Sequence, residues 1–177
     1  VNALVAQIEK EVGVVDILVN NAGIAQQKVF CDITEDEFKN MMQTNVGSVF
    51  NMCKAVMGEM IGKKSGKIIN ISSVWGICGA SCEVHYSASK AAVIGFTKAL
   101  AQELAPSGIN VNCVAPGVVD TDMCKFDGET KKLVTEDIPL GKIASPEKIA
   151  DTIAFLASDK ADYITGEVIN VSGGFVV

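Results

Sequence analysis

Two side chains four residues apart, Tyr86 and Lys90 in Tyr86-Ser-Ala-Ser-Lys90, form a pair that could move a proton. On a helix that spacing puts both on one face, with the ammonium in reach of the phenol. A free phenol titrates near ~10, and a fixed positive charge favours the phenolate, which brings the group toward a useful acid/base range. Such a pair suits proton donation to a carbonyl oxygen. Ser73, thirteen residues earlier (86 minus 73), lies in Asn70-Ile-Ser-Ser73, which ends a strand, and could give the same oxygen a second hydrogen bond as hydride arrives. Tyr-x-x-x-Lys alone is frequent by chance, so its position in the chain has to carry the argument. Two rival chemistries are thinner. Ser87-Ala-Ser-Lys90 fits the Ser-x-x-Lys of serine acyltransferases, with Ser87 as nucleophile, but the partner motifs Ser-Asp-Asn and Lys-Thr-Gly are absent. Cys78, Cys82 and His85 could approach a zinc ion, but Gly79 weakens the helix that would align them and no second ligand pair exists, so no metal is expected. His85, next to Tyr86, points off the catalytic face and is given no chemical role.

The elements that must position these residues follow from periodicity. Short apolar, β-branched runs at 15–19, 67–71, 110–114 and 168–171 alternate with helical patterns at 34–61, 84–104 and 146–157, after a first helical stretch at 1–13. That alternation predicts parallel strands joined by crossover helices, covered on both faces. Thr34-Glu-Asp-Glu37 is a capping box, and Ser145-Pro146 gives an N-cap followed by proline at the first helical position. In the helix after Thr34 the buried stripe is expected to hold Phe38, Met41, Met42, Val46, Val49, Phe50, Cys53, Val56, Met57 and Met60. Asn45 falls inside it. A buried amide must be bonded, so Asn45 either satisfies a local backbone defect or faces a wet cleft. Open α/β sheets bind ligands at the carboxyl ends of their strands, where Ser73 lies.

Composition narrows the classes. With 177 residues and 49% hydrophobic content, one domain spanning 1–177 is expected. A formal charge of −6 offers no positive field, which argues against nucleic acid as a partner. Lys63, Lys64 and Lys67 read as a solvated turn. No apolar stretch approaches the ~20 residues that span a bilayer, and no membrane association is expected. Six cysteines without paired spacing point to reduced thiols and a soluble cytoplasmic protein.

Asn20-Asn-Ala-Gly23, Asn45, Ser73, Tyr86-Ser-Ala-Ser-Lys90 and Pro116-Gly117, in this order, resemble the short-chain dehydrogenase/reductase superfamily over all 177 residues. The resemblance implies a Rossmann-type doubly wound α/β fold and an NAD(H)- or NADP(H)-dependent oxidoreductase that reduces a carbonyl to a secondary alcohol. It implies that Tyr86 is the general acid and also contacts the cofactor, that Ser73 orients the carbonyl, and that Lys90 binds the nicotinamide ribose and lowers the tyrosine pKa. Asn45 joins a proton relay through water. Asn20, Asn21, Ala22 and Gly23 would line the adenosine side of the cofactor, and Pro116, Gly117, Val119 and Thr121 would border its nicotinamide and phosphates. For Asn20 a turn-stabilising amide, and for Pro116-Gly117 a plain turn, stay open. The segment 120–142, with a short helical pattern at 129–136, corresponds to the family's substrate lid or to a surface connection. Trp75 is expected near the site mouth.

One departure is large. The family opens with a strand, a Gly-rich phosphate loop and two further strands, and no two of the 16 glycines here are spaced as Gly-x-Gly. The chain is therefore expected to be the C-terminal part of such an enzyme, its first strands absent and an interior strand left as an edge. A remnant that only assembles with a partner is the alternative from another class. Val111-Asn-Cys-Val-Ala-Pro-Gly and Ile164-Thr-Gly are similar to bacterial 3-oxoacyl-[acyl-carrier-protein] reductases, which implies a small or carrier-linked carbonyl substrate. Ser73-Val-Trp-Gly with Gly79-Ala-Ser-Cys-Glu-Val resembles the relatives that reduce 5-aminopentanone-modified elongation factor P. Sugar-alcohol and steroid dehydrogenases fit less well. The long helices at 34–61 and 84–104 carry apolar residues beyond one face, and the resemblance implies that they pair across a homotetramer or homodimer interface.

Overall fold

In the computed structural model, which describes residues 1–176, four parallel strands form one sheet in chain order: β1 (Ile17–Asn20), β2 (Gly66–Ile71), β3 (Ile109–Pro116) and β4 (Val168–Val171). All four overlap the runs read from the sequence. Seven α-helices surround them: α1 (Asn2–Glu11), α2 (Glu35–Met42), α3 (Ser48–Lys63), α4 (Trp75–Cys78), α5 (Val84–Leu104), α6 (Gly128–Glu136) and α7 (Pro146–Ala157). The fold is the expected α/β Rossmann-type arrangement.

Alternating side chains on a strand face opposite sides of the sheet, so each strand feeds two cores. Leu18, Ile68, Val111 and Cys113 pack with α1, α3 and α5, while Ile69, Ile71 and Val114 pack with Ile149 and Leu156 of α7. The crossovers β1–α3–β2 and β2–α5–β3 thus lie on one face and β3–α7–β4 on the other, although the strands advance in one direction. The last crossover therefore has the opposite hand from the two before it, an exception to a rule that holds in about 98% of cases. Periodicity cannot reveal this, because hand is a property of three elements together.

Local signals at the helix starts are realised. Thr34 Oγ1 accepts from Glu37 N–H at 3.2 Å and Glu37 Oε2 accepts from Thr34 N–H at 2.8 Å, the two halves of the capping box. Ser145 precedes Pro146 at the start of α7 but makes no side-chain cap bond. The expected single helix from Thr34 is broken: Gln43–Gly47 forms one π-helical turn between α2 and α3. Its extra residue per turn holds the buried line to Met41, Asn45, Val49, Cys53, Val56 and Met60. Phe38 and Phe50, expected in that line, are 44% and 48% exposed on its flanks, with the Lys54 ammonium 5.5 Å from the centre of the Phe50 ring. The lysine turn is also less free than expected, since Lys63 pairs with Asp16, and Lys67 pairs with Asp162 and donates to Ser158 O. At the edge of the sheet, β1 leaves Ile17 and Val19 largely exposed.

Candidate active site

Where β2 ends, the chain is clamped from three sides. Ser72 N–H donates to Val114 O and Val74 N–H to Pro116 O, which carries the β2–β3 pairing three residues past the end of β2. Ser72 Oγ donates to Lys90 O at 2.7 Å and fastens this turn to α5. Ser73 Oγ accepts Trp75 N–H at 3.1 Å, in the manner of an ST turn that starts the one-turn helix α4. Gly76 of α4 lies so close to α5 that a Cβ there would sit 2.7 Å from both the Lys90 carbonyl carbon and Ser72 Oγ. Only glycine permits that approach, and it sets the height of Ser73 against Tyr86 and Lys90.

Tyr86 and Lys90 are both buried in α5, and their face borders a cleft of about 800 Å³. Lys90 Nζ donates to Ile71 O at 2.9 Å and lies 5.7 Å from the centre of the Tyr86 ring. Burial holds the Lys90 ammonium down to about 8. Burial also pushes the Tyr86 phenol above its ordinary value; the Ser73 hydroxyl opposes this, and the Glu83 carboxylate and Cys124 thiol add to it. The net direction is opposite to the lowering that the resemblance implied, because desolvation, which sequence does not display, is the largest influence on the phenol.

Asn21, Ala22, Gly23, Pro116, Gly117, Val119 and Thr121 all line the same cleft with Ser73, Tyr86 and Lys90. Asn20 is turned away from it: its amide donates to Asn70 Oδ1 at 2.8 Å, and Asn70 in turn donates to Thr97 Oγ1 at 2.9 Å, a network beneath the strand ends. Asn45 sits in the π turn just behind Gly23. Its Oδ1 accepts Ile24 N–H at 2.8 Å, and its amide donates to Ile24 O at 2.9 Å and to Ser89 Oγ at 3.0 Å. A Cβ on Gly23 would lie 3.1 Å from Asn45 Oδ1 and 3.4 Å from Lys90 Nζ. Trp75 meets Phe175 edge-on at 5.5 Å. The segment 120–142 contributes Asp122, Met123 and Cys124 to the cleft, and its neck is pinned where Asp120 N–H donates to Ala144 O and Ala144 N–H to Val118 O.

Sequence reasoning missed three features. Ile71, Ile149 and Ile153 give the cleft an apolar wall, and only the reversed last crossover places α7 there. Glu83, at the N-cap of α5, makes no cap bond, and burial raises its carboxyl. A glutamate where serine or aspartate is the better cap was the available sign. His85 is fully buried and bonded to Gln26. Among the described residues no group of three or more His, Cys, Asp or Glu could hold a metal ion, and all six cysteines are free. Burial pushes the Cys53 and Cys113 thiols up to about 11, so they are inert packing groups.

The cleft has the size and character that half of a dinucleotide needs: an apolar wall, a buried ammonium, and a glycine at the close approach of Gly117 to Ser172. Lys90 has donors to spare for vicinal hydroxyls, so the residues present fit a nicotinamide riboside. A family model described as enoyl-(acyl carrier protein) reductase matches residues 1–176. The 3-oxoacyl-[acyl-carrier-protein] reductase FabG of Chlamydia muridarum is 44% identical over 173 residues, 96% of this chain and 70% of the relative. That of Vibrio cholerae is 45% identical over 175 residues, 98% of this chain and 72% of the relative. Nodulation protein G of Azospirillum brasilense is 44% identical over 173 residues, 97% and 70% of the two chains. The parallel sheet, the serine, tyrosine and lysine gathered at its carboxyl end, and similarity along nearly the whole chain make this protein a member of the short-chain dehydrogenase/reductase family of nicotinamide-dependent oxidoreductases.

Proposed function

We propose that the protein reduces a 3-oxoacyl group, carried as a thioester on a carrier protein, to the 3-hydroxyacyl product. The observation that carries this reading is the convergence of Ser73, Tyr86 and the buried Lys90 ammonium on one cleft at the carboxyl end of the sheet. Similarity to the 3-oxoacyl-[acyl-carrier-protein] reductases supports the substrate class. A bound NADH or NADPH would supply the hydride. The Tyr86 phenol then gives its proton to the carbonyl oxygen, which Ser73 Oγ holds in line. Lys90 holds the ribose hydroxyls and keeps a positive charge beside the phenolate as it forms. Asn45 fixes Gly23 and Ile24 beside Lys90, the place from which a water relay would refill the proton. Asn21, Ala22 and Gly23 are assigned to the adenosine side, and Pro116, Gly117, Val119 and Thr121 to the nicotinamide side. Asn20 supports that wall from beneath. Residues 120–142 act as the substrate lid.

This reading carries a pH signature. Lys90, held down to about 8, loses its proton as pH rises through that value, while the Tyr86 phenol is still protonated. The kcat/KM for reduction, which reports the free enzyme, is expected to fall above about 8 rather than above ~10. Lys90→Arg, whose charge persists, is expected to move that alkaline limb upward if it retains activity. A wild-type limb that begins near ~10 would contradict the assignment.

A second reading concerns the substrate. Glu83, at the N-cap of α5 just outside the cleft lining, bears electrostatically on both the Tyr86 phenol and the Cys124 thiol of the lid, and among the described residues it has no ion-pair partner. A half-buried carboxylate at that place suits a ketone that bears an ammonium group, as 5-aminopentanone-modified elongation factor P would. Glu83→Gln is expected to lower kcat/KM for an amino-ketone about tenfold, and to change it less than about twofold for an acetoacetyl thioester. Equal effects on both substrates would remove the second reading. For assembly, we propose a soluble cytoplasmic homotetramer or homodimer, paired through the outer faces of α2, α3 and α5, where Phe38, Phe50 and Val84 are exposed. No described helix is long and apolar enough to cross a membrane.

A further inference from the structure

His85 and Gln26 are 59 residues apart, and neither has a part in the chemistry described above. His85 is fully buried, and its Nε2 lies 2.8 Å from Gln26 Oε1. The Gln26 amide in turn donates to Glu37 Oε1 at 2.8 Å, which fixes which end of Gln26 faces the imidazole. Its oxygen must accept, so His85 Nε2 carries a proton and donates it to that oxygen. Nδ1 is left buried and without a partner among the described residues. A buried imidazole with one unsatisfied nitrogen costs free energy, so the one bond that His85 does make calls for an explanation.

That bond closes a ring around the segment 24–28. Ile24 is gripped in both directions by Asn45. Lys28 N–H donates to Cys82 O at 2.6 Å, just ahead of α5, and Lys28 Nζ pairs with Glu37 at 2.8 Å. Glu37 is itself fixed by the capping box of α2. Between these ties, Gln26 is the point where the segment meets the helix that carries Tyr86. Gly23 and Ile24, immediately upstream, form a wall of the cleft, and Gly23 leaves 3.4 Å or less between a would-be Cβ and Lys90 Nζ or Asn45 Oδ1. A shift of a few tenths of an ångström in this segment therefore changes the space beside Lys90.

We propose that His85 is a positioning residue. Its Nε2–H, acting through Gln26, holds the Gly23–Ile24 wall of the cleft in register with the Tyr86–Lys90 face of α5. The consequence for ligand binding rests on the reading of this cleft as the nicotinamide cofactor's.

The test separates the two amides that can replace an imidazole. His85→Gln puts an N–H donor near the place of Nε2, whereas His85→Asn puts it near Nδ1 and leaves Gln26 Oε1 without its donor. Gln26→Leu removes the acceptor from a residue that is only partly buried and serves where a His85 variant fails to fold. Hydrogen exchange on the free, full protein reads the wall directly, and titration with NADH or NADPH reads the cleft. His85→Asn and Gln26→Leu are expected to speed exchange across residues 22–28 about tenfold, and to weaken dinucleotide binding and raise its KM by a similar factor, with a smaller change in kcat. His85→Gln is expected to restore both. If His85→Asn and His85→Gln behave alike, or if the faster exchange spreads evenly over α5 and the sheet, the proposal is overturned. If the exchange pattern appears but wild-type protein binds neither dinucleotide, the positioning role stands and the cofactor reading of the cleft falls.

Discussion

Tyr86→Phe is expected to lower kcat for carbonyl reduction by about 10²- to 10⁴-fold, the range that a positioned general acid contributes. The substitution removes one oxygen from a ring that is 9% exposed and leaves the ring's packing intact. Thermal stability should change little, and dinucleotide binding, held chiefly by Lys90 and the cleft wall, should survive. Stopped-flow absorbance at 340 nm with a saturating acetoacetyl thioester measures the rate, and a dinucleotide titration checks the binding. The two must separate. A Phe variant that binds cofactor and still turns over within about tenfold of wild type would mean that another group donates the proton.

Gly76→Ala is expected to damage stability and site together. Its Cβ would stand 2.7 Å from the Lys90 carbonyl carbon, 2.7 Å from Ser72 Oγ and 2.9 Å from Lys90 O. Two of these are backbone atoms of a 21-residue helix, which cannot step aside as a flexible side chain can. α4 must move off α5, and Ser73, one turn upstream, moves with it. A cost of about 1–3 kcal/mol is expected, a drop in Tm of roughly 2–4 °C for each kcal/mol in a chain of this size. Gly58→Ala is the matched control. It lies inside α3 with nothing within 4 Å of its Cβ, so the better helix former should stabilise by about 0.5–1 kcal/mol. Melting followed by circular dichroism distinguishes the pair. If Gly76→Ala melts with wild type, the packing of α4 on α5 does not set the site.

What could be read before folding was what is written locally. The four strands announced themselves as short β-branched runs, and the capping box at Thr34 fixed the start of α2 to the residue. Tyr86, Lys90 and Ser73 were legible because helical spacing and a strand end place them without reference to anything distant. Asn45 was legible only as a conflict, an amide in an apolar stripe, and its resolution is a π turn bonded to Ile24 that no propensity foretells. Phe38 and Phe50 were assigned to the core because a regular helix was assumed where that turn rotates the faces. The apolar wall from α7 was hidden by the reversed crossover, and the Gln26–His85 bond by 59 residues of separation. The pKa of Tyr86 is illegible in the sequence for a related reason: spacing gives the neighbour's charge, whereas burial, the largest influence on the phenol, is a property of the finished fold.

The measurement closest to the central claim is the 340 nm absorbance of NADPH or NADH mixed with the wild-type protein and an acetoacetyl thioester, with the product analysed for the 3-hydroxyacyl thioester. The account predicts loss of absorbance, one 3-hydroxyacyl product formed for each dinucleotide oxidised, and turnover slowed by about 10²- to 10⁴-fold with Tyr86→Phe. Wild-type protein that binds dinucleotide yet leaves both the absorbance and the thioester unchanged would contradict it.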